Sequence, residues 1–524
     1  MRISWKFAAA LTLALAGCGD DSSDAGNTGN TGSANTGGTG NDGGANTGGS
    51  GGANTGGSGG ANTGGSGGAN TGGSGGANTG GTGNTGAGKV LVLSELKAFA
   101  TAQGHGRHTS GGRGGSVYEV TTLANSGAGS FRDAVSSGNR TVVFRVGGTI
   151  TLNKNQPVYF GGDNITLAGQ TAPGDGVAIY GEMVDTNGHE NIIVRHLRFR
   201  SGDPQDGTDR DAFRIINLVS GKTAQNFILD HCSFSWGDDE VLSFEARSDE
   251  KSTIKNATVQ RSIVSEGFDN KGVILWKANQ NISFIGNLLA NNHERNIRAS
   301  TRISSFEMVN NVIYGYAYGT QPTYENSFDV IGNVYLVRPG LPQALETVRL
   351  EACSSTNCPG GASIGATQAH IADNTLGGGA ISVSSNLTPY LFNTPRVSSG
   401  YAALPSGQVE SDVLGDVGCN FNGNDSLDKS QINDVLNGSG AIVTSEAGTA
   451  GLPTLMGGTP EVDANSDGIP DTFASTHGIS SATDVIPNWK FASYQVSNVA
   501  GYTALEMYLM WAAGDFDTLV AKLP

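Results

Sequence analysis

"QNFILDHCSF" (225–234), "KNATVQRSIV" (255–264) and "QNISFIGNLL" (280–289) are one phrase in three spellings. Each opens on a polar residue and an asparagine, then runs into alternating apolar residues. The phrase recurs upstream as "DNITLAGQ" (163–170) and "ENIIVRHLRFR" (190–200). Downstream it becomes "SSFEMVNNVIY" (304–314) and "NSFDVIGNVYL" (326–336). Alternation within a short run predicts a strand with one buried face. A return every roughly 20 to 35 residues predicts a coil of stacked strands. Helical periodicity is nearly absent between the phrases, which argues against βαβ units. Hairpin signals such as Asn-Gly are few, which argues against an antiparallel sandwich. The predicted fold is all-β, a right-handed single-stranded parallel β-helix. Its rungs stack in register, so residues remote in sequence line one groove.

The coil does not fill the chain. Arg2 and Lys6 flank the start of an apolar run, Phe7 to Ala16, followed by Gly17 and Cys18. A charged start, a short apolar core and small residues read as a secretory signal. "LAGC" (15–18) resembles a bacterial lipobox, which implies cleavage before Cys18 and lipidation of its sulfur. Residues 19–88 include "GGANTGGSGGANTGGSGGANTGGS" (51–74). No residue of that octad can fill a core, so the tract reads as a flexible tether. The expected layout is a signal at 1–18, a tether at 19–88, a β-helix domain at 89–445 and a C-terminal extension at 446–524. The expected location is extracellular or at the outer-membrane surface, secreted or lipid-anchored, with the lipid as the only membrane contact.

The formal net charge is −16, which argues against nucleic acid as a partner. Of the five cysteines, Cys353 and Cys358 in "ACSSTNCPGG" are expected to close a short disulfide loop. Cys232 and Cys419 read as buried apolar residues. The chain is expected to be a monomer.

The stretch "GHGRHTSGGRGGSVYEVTTLANSGAGSFRDAV" (104–135) resembles the opening of the pectate lyase superfamily, polysaccharide lyase family 1. "ITLAGQTAPGDGVAIYG" (165–181), "NIIVRHLRFRSGD" (191–203), "FILDHCSFSWGDDEVLSF" (227–244) and "TVQRSIVSEGF" (258–268) follow in family order. "ERNIR" (294–298) takes the place of the family's Arg-x-Pro-Arg, and "VNNVIYG" (309–315) follows it. The resemblance resumes at "VLGDVGCN" (413–420), "DANSDGIPDTF" (463–473) and "GYTALEMYL" (501–509).

This resemblance implies a calcium-dependent lyase acting on pectate, an acidic (1,4)-α-D-galacturonan. It places the catalytic arginine at Arg295 and substrate-binding cations at Lys271 and Arg298. It places the acidic ligands of Ca²⁺ at Asp211, Asp239 and Glu240, with Asp238 open as an alternative. Two departures stand out: Ile297 replaces the family's proline, and a further arginine is missing near Ser300, where Arg302 is a possible substitute.

The chemistry asks for these residue types. β-Elimination removes the C5 proton beside a carboxylate and expels the C4 oxygen. Negative charge then builds on a group that is already anionic. A calcium ion bound by carboxylates and a nearby permanent cation stabilise that charge. Arg295 can serve as the base or as stabiliser of the enolate, and the sequence leaves both open. His231 after Asp230 reads as part of a structural network near the groove, and His293, nearer the site, has no assigned role.

Asp463, Asn465, Asp467 and Asp471, with Gly468 between, resemble the first nine positions of an EF-hand loop. The twelfth position is Ala474, so the loop lacks its bidentate acid. It is a candidate second calcium site. "GYTALEMYLMWAAG" (501–514) reads as a short apolar helix over an open end of the coil. Two other functions compete with the first: a pectin lyase on methyl-esterified chains, and a non-catalytic surface binder of polysaccharide.

Overall fold

A computed structural model describes residues 88–523, except 203–208, 248–250, 301–303, 343–345 and 353–363. Cys18, the tether, Arg302 and the Cys353/Cys358 pair lie outside the described residues. The chain winds into a parallel β-helix with three sheets, of ten, ten and seven strands. Only the last pair of the second sheet is antiparallel. One rung shows the plan. Thr223–Asp230 lies in the first sheet, Ser233–Ser235 in the second and Leu242–Ala246 in the third. The first sheet pairs Ile192, Phe227, Ala257, Ile282, Phe306, Phe328 and Ala369 in one inward column.

The recurring asparagines have a backbone reason. Asn164, Asn191, Asn226, Asn256 and Asn281 all have φ between 56° and 68° as the chain enters the first sheet. Asparagine tolerates this left-handed region better than most residues. A second left-handed corner leads from the first sheet to the second, at His196, His231, Arg261, Gly286, Asn310, Gly332 and Asp373. The residue after that corner points inward. From Asn287 on it is asparagine, and the side chains hydrogen-bond rung to rung: Asn287 to Asn311, Asn311 to Asn333, Asn333 to Asn374, each at 2.9 Å. Each amide also donates to a strand carbonyl of the preceding rung. Aromatic rings stack in the interior too, Phe199 on Phe234 at 5.6 Å and Phe306 on Phe328 at 5.4 Å.

The coil spans Ser116 to Leu376, and the rest of the chain packs along its outside. Lys89–Leu93 is not a rung. It pairs in parallel with Tyr494–Asn498, joining the start of the described chain to its C-terminal stretch. All described residues belong to one compact unit. Helices Ser406–Gly415 and Ser426–Asn437 cover the second sheet, burying Val409, Val413 and Val435 against Ile263, Leu288 and Val312. The helix expected near the end is Ala504–Ala512, started by a capping box of Thr503 and Glu506. It does not cap an end of the coil. It lies on the outer face of the first sheet, sharing a core with Ala168, Ile193 and Ile228.

Buried ion pairs pin these flanks. The outward arginines of "IIVRHLRFR" meet acids from the C-terminal stretch: Arg195 with Asp515 at 2.8 Å and Arg200 with Asp425 at 2.7 Å. Arg195 also holds Asp230, which pairs with His231 at 2.9 Å, and His231 reaches Asp416 at 3.2 Å. Those acids push the His231 imidazole up to about 9 despite its burial. The expected structural network is present, but at the corner between the first and second sheets rather than near the groove. Cys232 and Cys419 are buried and free, as read.

Two outcomes follow. Asn311→Ala should lower stability by about 2 to 4 kcal/mol, because it strands ladder partners in the core. The urea midpoint measures this, and an unchanged midpoint would remove the ladder from the account. The second concerns pH. A histidine raised to about 9 when folded contributes stability fully below its unfolded value near 6.5 and loses it as pH climbs through 9. At 1.36 kcal/mol per unit this is about 3 kcal/mol. Unfolding free energy should fall between pH 6.5 and 9 in the wild type and much less in His231→Gln. Parallel curves would refute the coupling.

Candidate active site

The third sheet brings the sequence candidates together through its register. Phe213 pairs with Leu242 and Leu242 with Val273. Ile274 then pairs with Arg298, and the loop ahead of it runs beside the previous rung, Val273 N donating to Arg295 O at 2.6 Å. Two residues before each inward residue comes a polar one: Asp211, Glu240, Lys271 and Arg295. Asp211, Glu240 and Lys271 form a column at the entry to the third sheet; on the next rung Lys271 pairs with Glu294, and Arg295 follows directly. On the following rung the Tyr318 amide donates to His293 O at 2.9 Å.

The acids gather. Asp211, Asp239 and Glu240 each offer a carboxylate oxygen within 4.8 Å of the others. Asp211 is 3% exposed and is fixed by Ser243 Oγ at 2.6 Å and by the Glu240 amide at 3.1 Å. Burial and the neighbouring Glu245 push its carboxyl well above the usual range. Gly237 makes the turn that presents Asp239 and Glu240, since a Cβ there would strike the Glu240 carbonyl. Asp238 is used elsewhere. It accepts from the Arg210 amide at 2.6 Å and faces that guanidinium at 3.6 Å.

The cations lie beside the acids. Lys271 Nζ meets Asp239 at 2.6 Å and also Asp269. Arg295 pairs closely with Glu240, and Arg298 with Glu351 at 2.9 Å. The Nε atoms of Arg295 and Arg298 are both buried without an acceptor. Burial and Arg298 bring the Arg295 guanidinium down to about 10, while its ion pair with Glu240 works the other way. The "ERNIR" backbone is strained. Arg295 has φ 57° and the fully buried Ile297 has φ 70°. A β-branched residue rarely adopts that region, and such strain concentrates at functional sites. Proline, fixed near −65°, cannot occupy position 297 in this conformation. Asn296 holds the turn by donating to Asn292 O and Tyr318 O, both at 3.0 Å.

The candidate second site, Asp463, Asn465, Asp467 and Asp471, lies in one loop, where Asn465 donates to Asp467 at 3.0 Å and the Asp467 amide to Asp463 at 3.3 Å. Asp463 accepts from the Gly468 amide at 2.9 Å, Asp467 from Ile469 at 3.0 Å and Asp471 from Ala464 at 3.1 Å. The loop's acids thus serve its own backbone. Ser300 is buried at the end of its strand. His293 stands edge-on to Tyr318 at 5.9 Å. The other gathered group is His196, Asp230 and His231, whose rings stack at 5.1 Å and 16°. Both His231 nitrogens already have carboxylate partners, Asp230 at 2.9 Å and Asp416 at 3.2 Å. The cavity beside His231, lined also by Gln103, Gln260 and Tyr401, lies at another corner of the coil.

Sequence reading missed Ser243, Gln321 and Glu351. Gln321 receives the Arg295 amide at 2.8 Å and donates to Glu351 at 3.0 Å. Their signal was register alone, since Arg298 pairs with Gln321 one rung on.

No protein-family model matches the chain. A probable pectate lyase C of Aspergillus terreus is 31% identical over 435 residues, 79% of this chain and 94% of the relative. That of Emericella nidulans is 32% identical over 382 residues, 71% and 84% of the two chains. Both are fungal, and the bacterial-lipoprotein reading draws no support from them. The solved structure of jun a 1, the major allergen from cedar pollen, aligns with TM-score 0.44 at 17% identity, covering 60% of this chain and 92% of the other. With relatives matched across most of their length, this chain belongs to the pectate lyase family, a family of polysaccharide lyases.

Proposed function

We propose that this lyase is calcium-dependent and cleaves (1,4)-α-D-galacturonan by β-elimination, leaving 4,5-unsaturated oligogalacturonides. The observation that carries it is the column: acids on two rungs, cations on the next two, and two buried guanidinium N–H groups without an acceptor. Asp211, Asp239 and Glu240 fit a calcium ion. They are hard oxygen donors, and burial and Glu245 hold the Asp211 carboxyl above its usual range, a cost that a bound cation would offset. Bound there, calcium supplies Lewis-acid stabilisation of a uronate carboxylate.

The chain's own residues do the rest. Lys271 and Arg298 bind uronate carboxylates, the lysine as a point charge and the arginine as a planar fork. Arg295 faces the reacting carbon. It takes the C5 proton, the C5–H electrons form the C4=C5 double bond, and the C4–O bond breaks with its pair on the leaving oxygen, which takes a proton from water. At about 10, holding the guanidinium neutral at pH 7 costs about 4 kcal/mol, at 1.36 per unit. The protein is exported as a monomer on this reading. Its signal delivers it to the cell exterior, and a lipid on Cys18 with the 19–88 tract tethers it at the surface. Among the described residues no helix is long and apolar enough to cross a membrane.

Polygalacturonate with calcium should yield products absorbing in the near ultraviolet, and excess chelator should abolish them. Asp211→Asn should raise the calcium needed for half-maximal rate by about tenfold or more, as expected when one charged ligand is lost. Full activity in chelator, or fragments without the absorbance, would end this reading. Arg295→Lys should cut turnover at least about a hundredfold, the scale of a missing general base. Arg298→Lys should weaken substrate binding more than turnover. A folded Arg295→Lys enzyme with near-normal turnover would take Arg295 out of the mechanism.

A further inference from the structure

Three polar contacts in series join the two arginines of "ERNIR" through side chains that the mechanism does not yet use. The Arg295 amide donates to Gln321 Oε1 at 2.8 Å. Gln321 Nε2 donates to Glu351 Oε1 at 3.0 Å, and Arg298 Nη2 pairs with Glu351 Oε2 at 2.9 Å. Register sets this chain of contacts up. Arg298 pairs with Gln321, Thr323 bridges to Glu351, and the Glu351 amide donates to Pro322 O at 2.8 Å. Gln321 grips the strained turn twice, because its own amide also donates to Ile297 O at 3.0 Å.

Gln321 is 2% exposed, so its side chain depends on protein partners. Its place asks for an acceptor on one side, for a backbone N–H, and a donor on the other, for a carboxylate. A glutamine amide offers both, an ionised glutamate only the first, and methionine neither. Glu351 also works in two directions, one oxygen toward Gln321 and one toward Arg298. It occupies Arg298 Nη2 and leaves Nε of the same fork buried without an acceptor. Neither Gln321 nor Glu351 has to touch a substrate to do this. What they fix is the backbone that aims Arg295 and the orientation of the Arg298 fork.

We propose that Gln321 and Glu351 are positioning residues that lock Arg295 and Arg298 into one unit, so that the guanidinium facing C5 and the fork holding a uronate are placed together. This rests on the reading of the site as a galacturonan lyase. Loss of the link loosens the Arg295 turn and lowers turnover more than substrate affinity.

The test exchanges the two side chains in the full protein and measures turnover and KM on polygalacturonate at saturating calcium. Gln321→Met keeps the side chain's length and removes both of its bonds. It should cut turnover about tenfold, the equivalent of about 1.4 kcal/mol, with a smaller change in KM. Gln321→Glu sets two carboxylates against each other and should cost at least as much. The double variant Gln321→Glu/Glu351→Gln reverses the middle bond, conserves the net charge and should return turnover close to wild type. Near-normal turnover in folded Gln321→Met, or a folded double variant no better than Gln321→Glu, overturns the link. Hydrogen exchange of the segment 292–299 reads the link without activity: it should be faster in Gln321→Met than in the wild type. If the wild type forms no unsaturated product, the lyase reading falls, and faster exchange in Gln321→Met still keeps the link. Equal exchange in the two proteins removes it.

Discussion

Everything at the site depends on rungs staying in register. Parallel strands pair Phe213 with Leu242 and Leu242 with Val273, and only that pairing stacks Asp211, Glu240 and Lys271. A slip of one residue would turn every side chain to the other face. Ile297 would leave the core and Arg298 would enter it. Buried polar groups raise the cost of such a slip. The Asn287–Asn311–Asn333–Asn374 ladder satisfies side-chain and backbone groups together, and a shifted rung would leave several unsatisfied in the interior. The left-handed corners act in the same direction, because each fixes where one sheet ends and the next begins.

That register also orders charge along the coil. Acids occupy the first rungs of the column and cations the later ones. Without ligands the two groups neutralise each other, Glu240 with Arg295 and Asp239 with Lys271. On the proposed reading, a divalent cation and an anionic sugar chain replace these pairs in one exchange. The cation takes the acids, and the uronate carboxylates take the cations. Each ligand removes a partner the other would have to displace, so binding of the two is expected to be mutually favourable.

Much of this was legible in the sequence because it is periodic. The Asn-led phrases gave the strands, and their spacing gave the coil. Arg295, Arg298, Lys271 and the acids were found as letters in family-like phrases, and the structure places them on adjoining rungs. What failed lay outside the period. Helices Ser406–Gly415 and Ser426–Asn437 fill gaps between flank and coil, and nothing in a repeat announces them. The pairing of Lys89–Leu93 with Tyr494–Asn498 spans almost the whole described chain, a contact no local pattern encodes. The outward arginines at 195, 198 and 200 carried a usable hint. Three charges on strands otherwise rich in apolar residues imply buried acidic partners, and those came from the C-terminal stretch.

The departure at Ile297 bears on the weight of the whole reading. The family's proline would need φ near −65°, and here the residue has φ 70°. The turn is therefore built differently, not merely respelled. Holding Arg295 and Ile297 both in the left-handed region costs on the order of 1–3 kcal/mol each. The surroundings supply what keeps them there. Ile297 is wholly buried in the main core, Asn296 ties the turn to two carbonyls, and the Arg295 amide bonds to Gln321. A solvated rim arginine would need none of this, since an exposed side chain is served by a relaxed backbone. A strained turn held by core packing and three directed hydrogen bonds fixes where one guanidinium points. On the proposed reading, that fixed aim is what a residue facing a reacting carbon requires.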